Sequence, residues 1–87
     1  MITRRMTIEN PLGLHAAYAA RLAAFARKSG SSIFLRKKGK KLARAADMVA
    51  VLGMLVRAGD ELEILVDGLD EIEDMQKFME LIISLDR

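Results

Sequence analysis

From Asn10 to Ala20 the chain reads Asn10-Pro11-Leu12-Gly13-Leu14-His15-Ala16-Ala17-Tyr18-Ala19-Ala20, and this junction constrains the fold more than any other segment. Upstream, Pro11 and Gly13 work against helix. Downstream, Ala19, Leu22, Ala23 and Ala26 recur at the spacing of one helical face. The segment therefore predicts a loop over 10–14 and a helix over 16–28. That helix ends on the cations Arg27 and Lys28, with Gly30 as its C-terminal cap. His15, the only histidine, falls at the helix's first turn. Imidazole can act as base, nucleophile or cation near neutral pH. A helix N-terminus offers unpaired N–H groups and partial positive charge, which favour an anion. A nucleophilic nitrogen beside an anion site points to chemistry on phosphate. A plain solvated side chain would also explain a lone histidine there, so the rest of the chain has to weigh in.

The remaining elements follow from periodicity. Arg4 to Glu9 alternates, with Met6 and Ile8 on one face, and predicts a first strand. Ile33 and Leu35, then Leu42, predict two short strands around a Lys37-Lys38-Gly39-Lys40 hairpin tip. Asp47 is placed as the N-cap of an apolar helix running from Met48 to Val56. Arg57 to Asp60 is a turn, and Leu62, Ile64 and Val66 mark a last strand whose other face is largely polar. Asp70 starts an acid-rich final helix with Ile72, Met75, Met79, Ile82 and Ile83 as its buried stripe. The order β-α-β-β-α-β-α predicts an α+β fold: a four-stranded, mostly antiparallel sheet covered on one face by helices.

The 87 residues suit one domain, 1–87. Cysteine is absent, so no disulfide or thiolate metal site can form, and with one histidine a zinc site is close to excluded. No metal or cofactor is expected. Met1 to Met6 lacks an apolar run behind Arg4 and Arg5, and no stretch approaches a membrane span, so the expected location is the cytoplasm. The net charge of +2 hides an asymmetry: residues 1–44 carry eleven Lys and Arg against one acid, Glu9, and residues 45–87 carry three against eleven. Such a split suits docking to a charged partner. The basic run Arg36 to Lys41 has no interleaved aromatics, which argues against nucleic-acid binding.

With these elements in place the chain resembles the HPr family, the histidine-containing phosphocarriers of the phosphotransferase system, over nearly its whole length. The family pattern Asn-x-x-Gly-Leu/Met-His-Ala/Thr-Arg-Pro-Ala is matched by Asn10, Gly13, Leu14, His15, Ala16 and Ala19. The Gly39-Lys40 hairpin, the apolar helix from Met48 and the turns at Gly59-Asp60-Glu61 and Gly68 fall where the family has its counterparts. The Leu12-Gly13 form is closer to the nitrogen-related branch than to the sugar branch. The resemblance implies an open-faced β-sandwich. It also implies a carrier that takes a phosphoryl group on Nδ1 of His15 from enzyme I and passes it to an enzyme II-type acceptor, through a phosphohistidine rather than by turnover chemistry. A monomer is expected.

Two positions depart from the pattern. Ala17 stands where the family has its phosphate-pairing arginine, and Tyr18 where it has proline. Tyr18 restores a backbone N–H that proline lacks, so Ala16, Ala17 and Tyr18 become candidate phosphate donors, and Arg21, one turn on, can lean back toward them. The resemblance puts Asp47 at the family's regulatory serine, where a carboxylate presents a fixed single charge; an N-cap role accounts for it equally. Met48, Val51, Leu52 and Leu55 cannot all be buried by one short helix, so they are the candidates from which an exposed apolar docking patch would come, with Arg21, Arg27 and Lys28 as its cationic rim. The retained His15 favours a working carrier. The missing arginine favours a regulatory or interaction module with weakened transfer.

Overall fold

The computed structural model describes residues 1–86. The elements follow the order β1 (Ile2–Thr7), α1 (Ala16–Lys28), β2 (Ser32–Lys37), β3 (Ala43–Arg44), α2 (Met48–Gly53), β4 (Glu61–Asp67) and α3 (Glu71–Leu85). The four strands form one sheet in the order β1-β4-β2-β3, every pair antiparallel. One face carries Ile33, Leu35, Leu62, Ile64 and Val66, all buried under the helices. From above they meet Tyr18, Leu22, Val51, Phe78 and Ile82, also buried. Removing such large apolar side chains from water stabilises the fold by about 1.5–3 kcal/mol each.

The opposite face is open. On it Arg5 and Arg36 sit in register on either side of Glu63. Arg5 Nε lies 3.3 Å from Glu63 Oε2, and Arg36 Nε donates to the other oxygen. This cross-strand pairing explains why β4 reads as polar on one side. Arg36, with Arg5 behind it, holds the Glu63 carboxyl below its ordinary value of 4.5. A carboxyl depressed in the folded state stabilises fully above its unfolded value, and its contribution is lost as pH falls through the lower folded value. Glu63→Gln is therefore expected to lower stability at neutral pH and to flatten the acid side of the stability profile. Urea titrations from pH 7 to 3 check this, and an unchanged acid limb would contradict it.

The structure corrects several element boundaries. β1 begins two residues earlier than the alternation indicated, because its partner β4 runs to Asp67; Ile8, past the strand's end, is still fully buried and bonds Asp60 and Gly59 through its backbone. Ala43, not Leu42, turns inward in the hairpin's return strand, and Leu42 stays exposed. Gly30 is not a left-handed cap: α1 ends on Ser29 in an extended conformation, and the hydroxyls of Ser29 and Ser31 donate to Asp74 of α3. α2 stops at Gly53 because Leu55 adopts a left-handed φ of 54°, turning Val56 back into the core. On α3 the buried face is Met75, Phe78 and Ile82, while Ile72 and Ile83 are exposed and Met79 is half-buried. The apolar arc of this helix is wider than the strip its neighbours cover.

Candidate functional site

The loop ahead of α1 is folded by its own short bonds. Asn10 Oδ1 accepts the Leu12 N–H at 2.9 Å, and the Asn10 carbonyl accepts the Gly13 N–H at 2.8 Å. Leu14 then donates to the Val56 carbonyl at 3.0 Å, which seats the loop on the segment after α2. Gly13 has a φ of 63°, and a Cβ there would lie 2.2 Å from the Val56 carbonyl oxygen. Only glycine fits both the conformation and the approach. At the far end of the loop, Asp86 accepts the backbone N–H groups of Glu9 (2.7 Å) and Asn10 (3.0 Å).

His15 is the N-cap of α1, with extended backbone angles and a carbonyl that accepts the Ala19 N–H. Its side chain makes no cap bond, so the imidazole remains available. Among the described residues, no acceptor engages the backbone N–H groups of Ala16, Ala17 and Tyr18. The first turn of α1 holds no acid to compete for them. These donors and the helix dipole form an anion site next to the ring. A shallow depression of about 290 Å³ is lined by His15, Ala17, Tyr18, Arg21 and Leu85, so Arg21 does share the site.

Tyr18 is placed differently from the expectation for a phosphate ligand. Its backbone N–H is in the anion site, but its side chain is buried. The ring stands at right angles to the imidazole, centroids 6.1 Å apart, and the hydroxyl reaches the Ile82 carbonyl (3.1 Å) and Asp86 Oδ1 (3.4 Å). Burial, reinforced by the Asp86 charge, holds the phenol well above its usual range, so it acts as a neutral donor and not as an acid or base.

The other candidates separate. Asp47 caps α2, its carboxylate accepting the Ala50 N–H at 3.1 Å. Val51 is fully buried and offers nothing to a partner, which removes it from the docking patch. Met48 and Leu52 are half-buried against the core. In the loop, on α2 and just after it, the large apolar side chains that project are Leu12, Val49 and Leu55. Sequence reasoning named Leu55 among the possible members of the patch but missed Leu12 and Val49, although a short helix apolar all round has to expose one side. Arg27 and Lys28 are at the far end of α1, about 18 Å of helix axis from His15, and do not reach the site. No helix of the described residues is long and apolar enough to cross a membrane.

Residues 2–84 match the family described as PTS-HPr, the PTS HPr component phosphorylation site. The phosphocarrier protein HPr of Xylella fastidiosa is 32% identical over 81 residues, 93% of this chain and 90% of that protein. The HPr-like protein Crh of Bacillus subtilis is 30% identical over 77 residues, 88% of this chain and 89% of that protein. The crystal structure of HPr from Thermoanaerobacter tengcongensis superposes with a TM-score of 0.88 at 30% identity, covering 97% of this chain and 93% of that one. With the histidine at the helix junction and the sheet topology already established, the matches lead to one conclusion: the chain belongs to the HPr family of phosphocarriers of the phosphotransferase system.

Proposed function

We propose that this chain is a cytoplasmic, monomeric phosphocarrier. Nδ1 of His15 accepts a phosphoryl group from phosphorylated enzyme I and hands it to an enzyme II-type acceptor. The N–P bond at His15 forms as the donor's bond to phosphorus breaks, and the reverse occurs on delivery. The observation that carries the reading is the free imidazole beside three unpartnered N–H groups, with Arg21 in the same depression. Amides already aimed at the anion stabilise it without reorganisation. Asp47, at the place of the family's regulatory serine, supplies a constant charge there. Partner docking falls to Met48 and Leu52 together with the exposed Leu12, Val49 and Leu55. Incubation with enzyme I, phosphoenolpyruvate and magnesium is expected to yield an acid-labile phosphate adduct by intact mass. Its absence would defeat the proposal.

Ala17 supports a second reading, a regulatory or interaction module with weakened transfer. Its methyl group lies in the depression at the position where the family pattern has arginine. A charge-assisted contact is typically worth about 1.5–3 kcal/mol. If that contact is what this chain lacks, Ala17→Arg should raise the single-turnover rate of phosphoryl uptake about tenfold or more. An unchanged or lower rate would mean that the site is rebuilt around Tyr18 and Arg21.

A further inference from the structure

We propose that Asp86 and Tyr18 are positioning residues for His15: the carboxylate at the end of α3 holds the loop, and the phenol holds the ring. The proposal rests on the reading of His15 as the phosphoryl acceptor. Asp86 follows the last residue of α3, and its N–H continues the helix to the Ile82 carbonyl. Its side chain crosses to the loop and meets three donors: Oδ2 takes the Glu9 N–H, while Oδ1 takes the Asn10 N–H and the Tyr18 hydroxyl. Asn10 answers through its side chain, Nδ2 donating to the Leu85 carbonyl at 3.4 Å. Both ends of the contact are thus crosslinked, and the loop between Asn10 and His15 is hung from the C-terminal end of a helix that lies more than seventy residues away in sequence.

Tyr18 completes the link. Its one hydroxyl proton is shared between the Ile82 carbonyl and Asp86, which restrains the ring, and the ring stands at right angles to the imidazole with centroids 6.1 Å apart. The His15 ring is therefore bordered by Tyr18, and the origin of its side chain is held by the clamped loop. Phosphoryl transfer depends on the alignment of the nucleophile with the anion site, and a 1 Å misplacement can cost about a hundredfold. The other end of α3 is tied independently to the chain after α1, by the hydroxyls of Ser29 and Ser31 on Asp74. Among the described residues, the Asp86 side chain bonds only the loop and Tyr18.

Asp86→Asn keeps the shape but cannot accept from all three donors. It is expected to slow phosphoryl uptake from enzyme I about tenfold in kcat, with KM for enzyme I unchanged. Asp86→Glu should recover part of the rate, Tyr18→Phe should lose about threefold, and Ser31→Ala, which weakens the other tie, should transfer normally. In the unphosphorylated protein, Asp86→Asn should weaken the nuclear Overhauser contact between the His15 and Tyr18 rings and loosen the Glu9–Leu14 amides. A parental rate in Asp86→Asn, a loss confined to KM, or an equal slowing by Ser31→Ala would overturn the proposal. If Asp86→Asn fails to fold, Tyr18→Phe decides, and a parental rate there overturns it. If the parent protein itself takes up no phosphate, the phosphocarrier reading fails, and the ring contact and amide dynamics still judge the clamp: unchanged values overturn it.

Discussion

Gly13→Ala is expected to destabilise the protein by about 3 kcal/mol or more, with a fall in melting temperature above roughly 10 °C. Two costs combine. A non-glycine residue held at a φ of 63° is strained, by about 1–3 kcal/mol. The added methyl group also meets backbone on its far side, the Val56 carbonyl oxygen at 2.2 Å and the Arg57 Cα at 2.9 Å, and backbone cannot give way as a side chain does. The displaced carbonyl is the one that receives the Leu14 N–H, so that bond weakens as well, at a cost of about 1 kcal/mol. Gly30→Ala is the control. Nothing lies within 4 Å of a Cβ there and its φ is not left-handed, so its melting temperature should stay within a few degrees of the parent or rise slightly. Thermal unfolding followed by circular dichroism compares the two. Equal effects would mean that the loop is not seated on Val56 as described.

His15→Ala is expected to abolish the acid-labile phosphate adduct completely while leaving the fold intact. The expectation of a total loss comes from composition: no second imidazole exists to accept the group. The expectation of an intact fold comes from geometry. The His15 side chain makes no cap bond, and its part in the helix start is played by its backbone carbonyl, which alanine also has. Intact mass before and after mild acid treatment, alongside a circular dichroism spectrum, separates lost chemistry from lost structure. An adduct that persists in His15→Ala and survives as acid-labile would place the chemistry elsewhere.

Much of this could be read from residues alone where the signal is local. The span of α1 follows from alanines and leucines repeating along one face, and the Asp47 cap from a single acid ahead of an apolar run. The hairpin tip at Gly39 follows in the same way, and its φ of 75° needs glycine. The parts that stayed hidden depend on what packs against what. Val51 and Val49 are equally apolar neighbours on α2, and only the position of the core decides that Val51 is inside and Val49 outside. Phe78 escaped the stripe drawn through Ile72 and Ile83 because the strip covering α3 is narrower than its apolar arc. Tyr18 is the clearest case. A tyrosine at the start of a helix offered a backbone donor to the anion site, but its burial and its bonds to Ile82 and Asp86 join segments more than sixty residues apart. The anion site itself was accessible from sequence because a helix N-terminus carries its donors wherever it is placed. Arg27 and Lys28 were assigned by charge to the rim of the docking patch, and the rise of the helix carries them about 18 Å along its axis from His15.

The central claim is that His15 and the first-turn amides of α1 form one phosphoryl-accepting site. Nitrogen-15 NMR of the protein after reaction with enzyme I and phosphoenolpyruvate tests it most directly. The account predicts a single phosphorylated imidazole, with phosphorus on Nδ1 of His15, and the largest backbone amide shifts at Ala16, Ala17 and Tyr18 as their N–H groups take up the phosphoryl oxygens. An unchanged imidazole spectrum would contradict the account, as would a phosphorylated His15 whose neighbouring amides stay where they were.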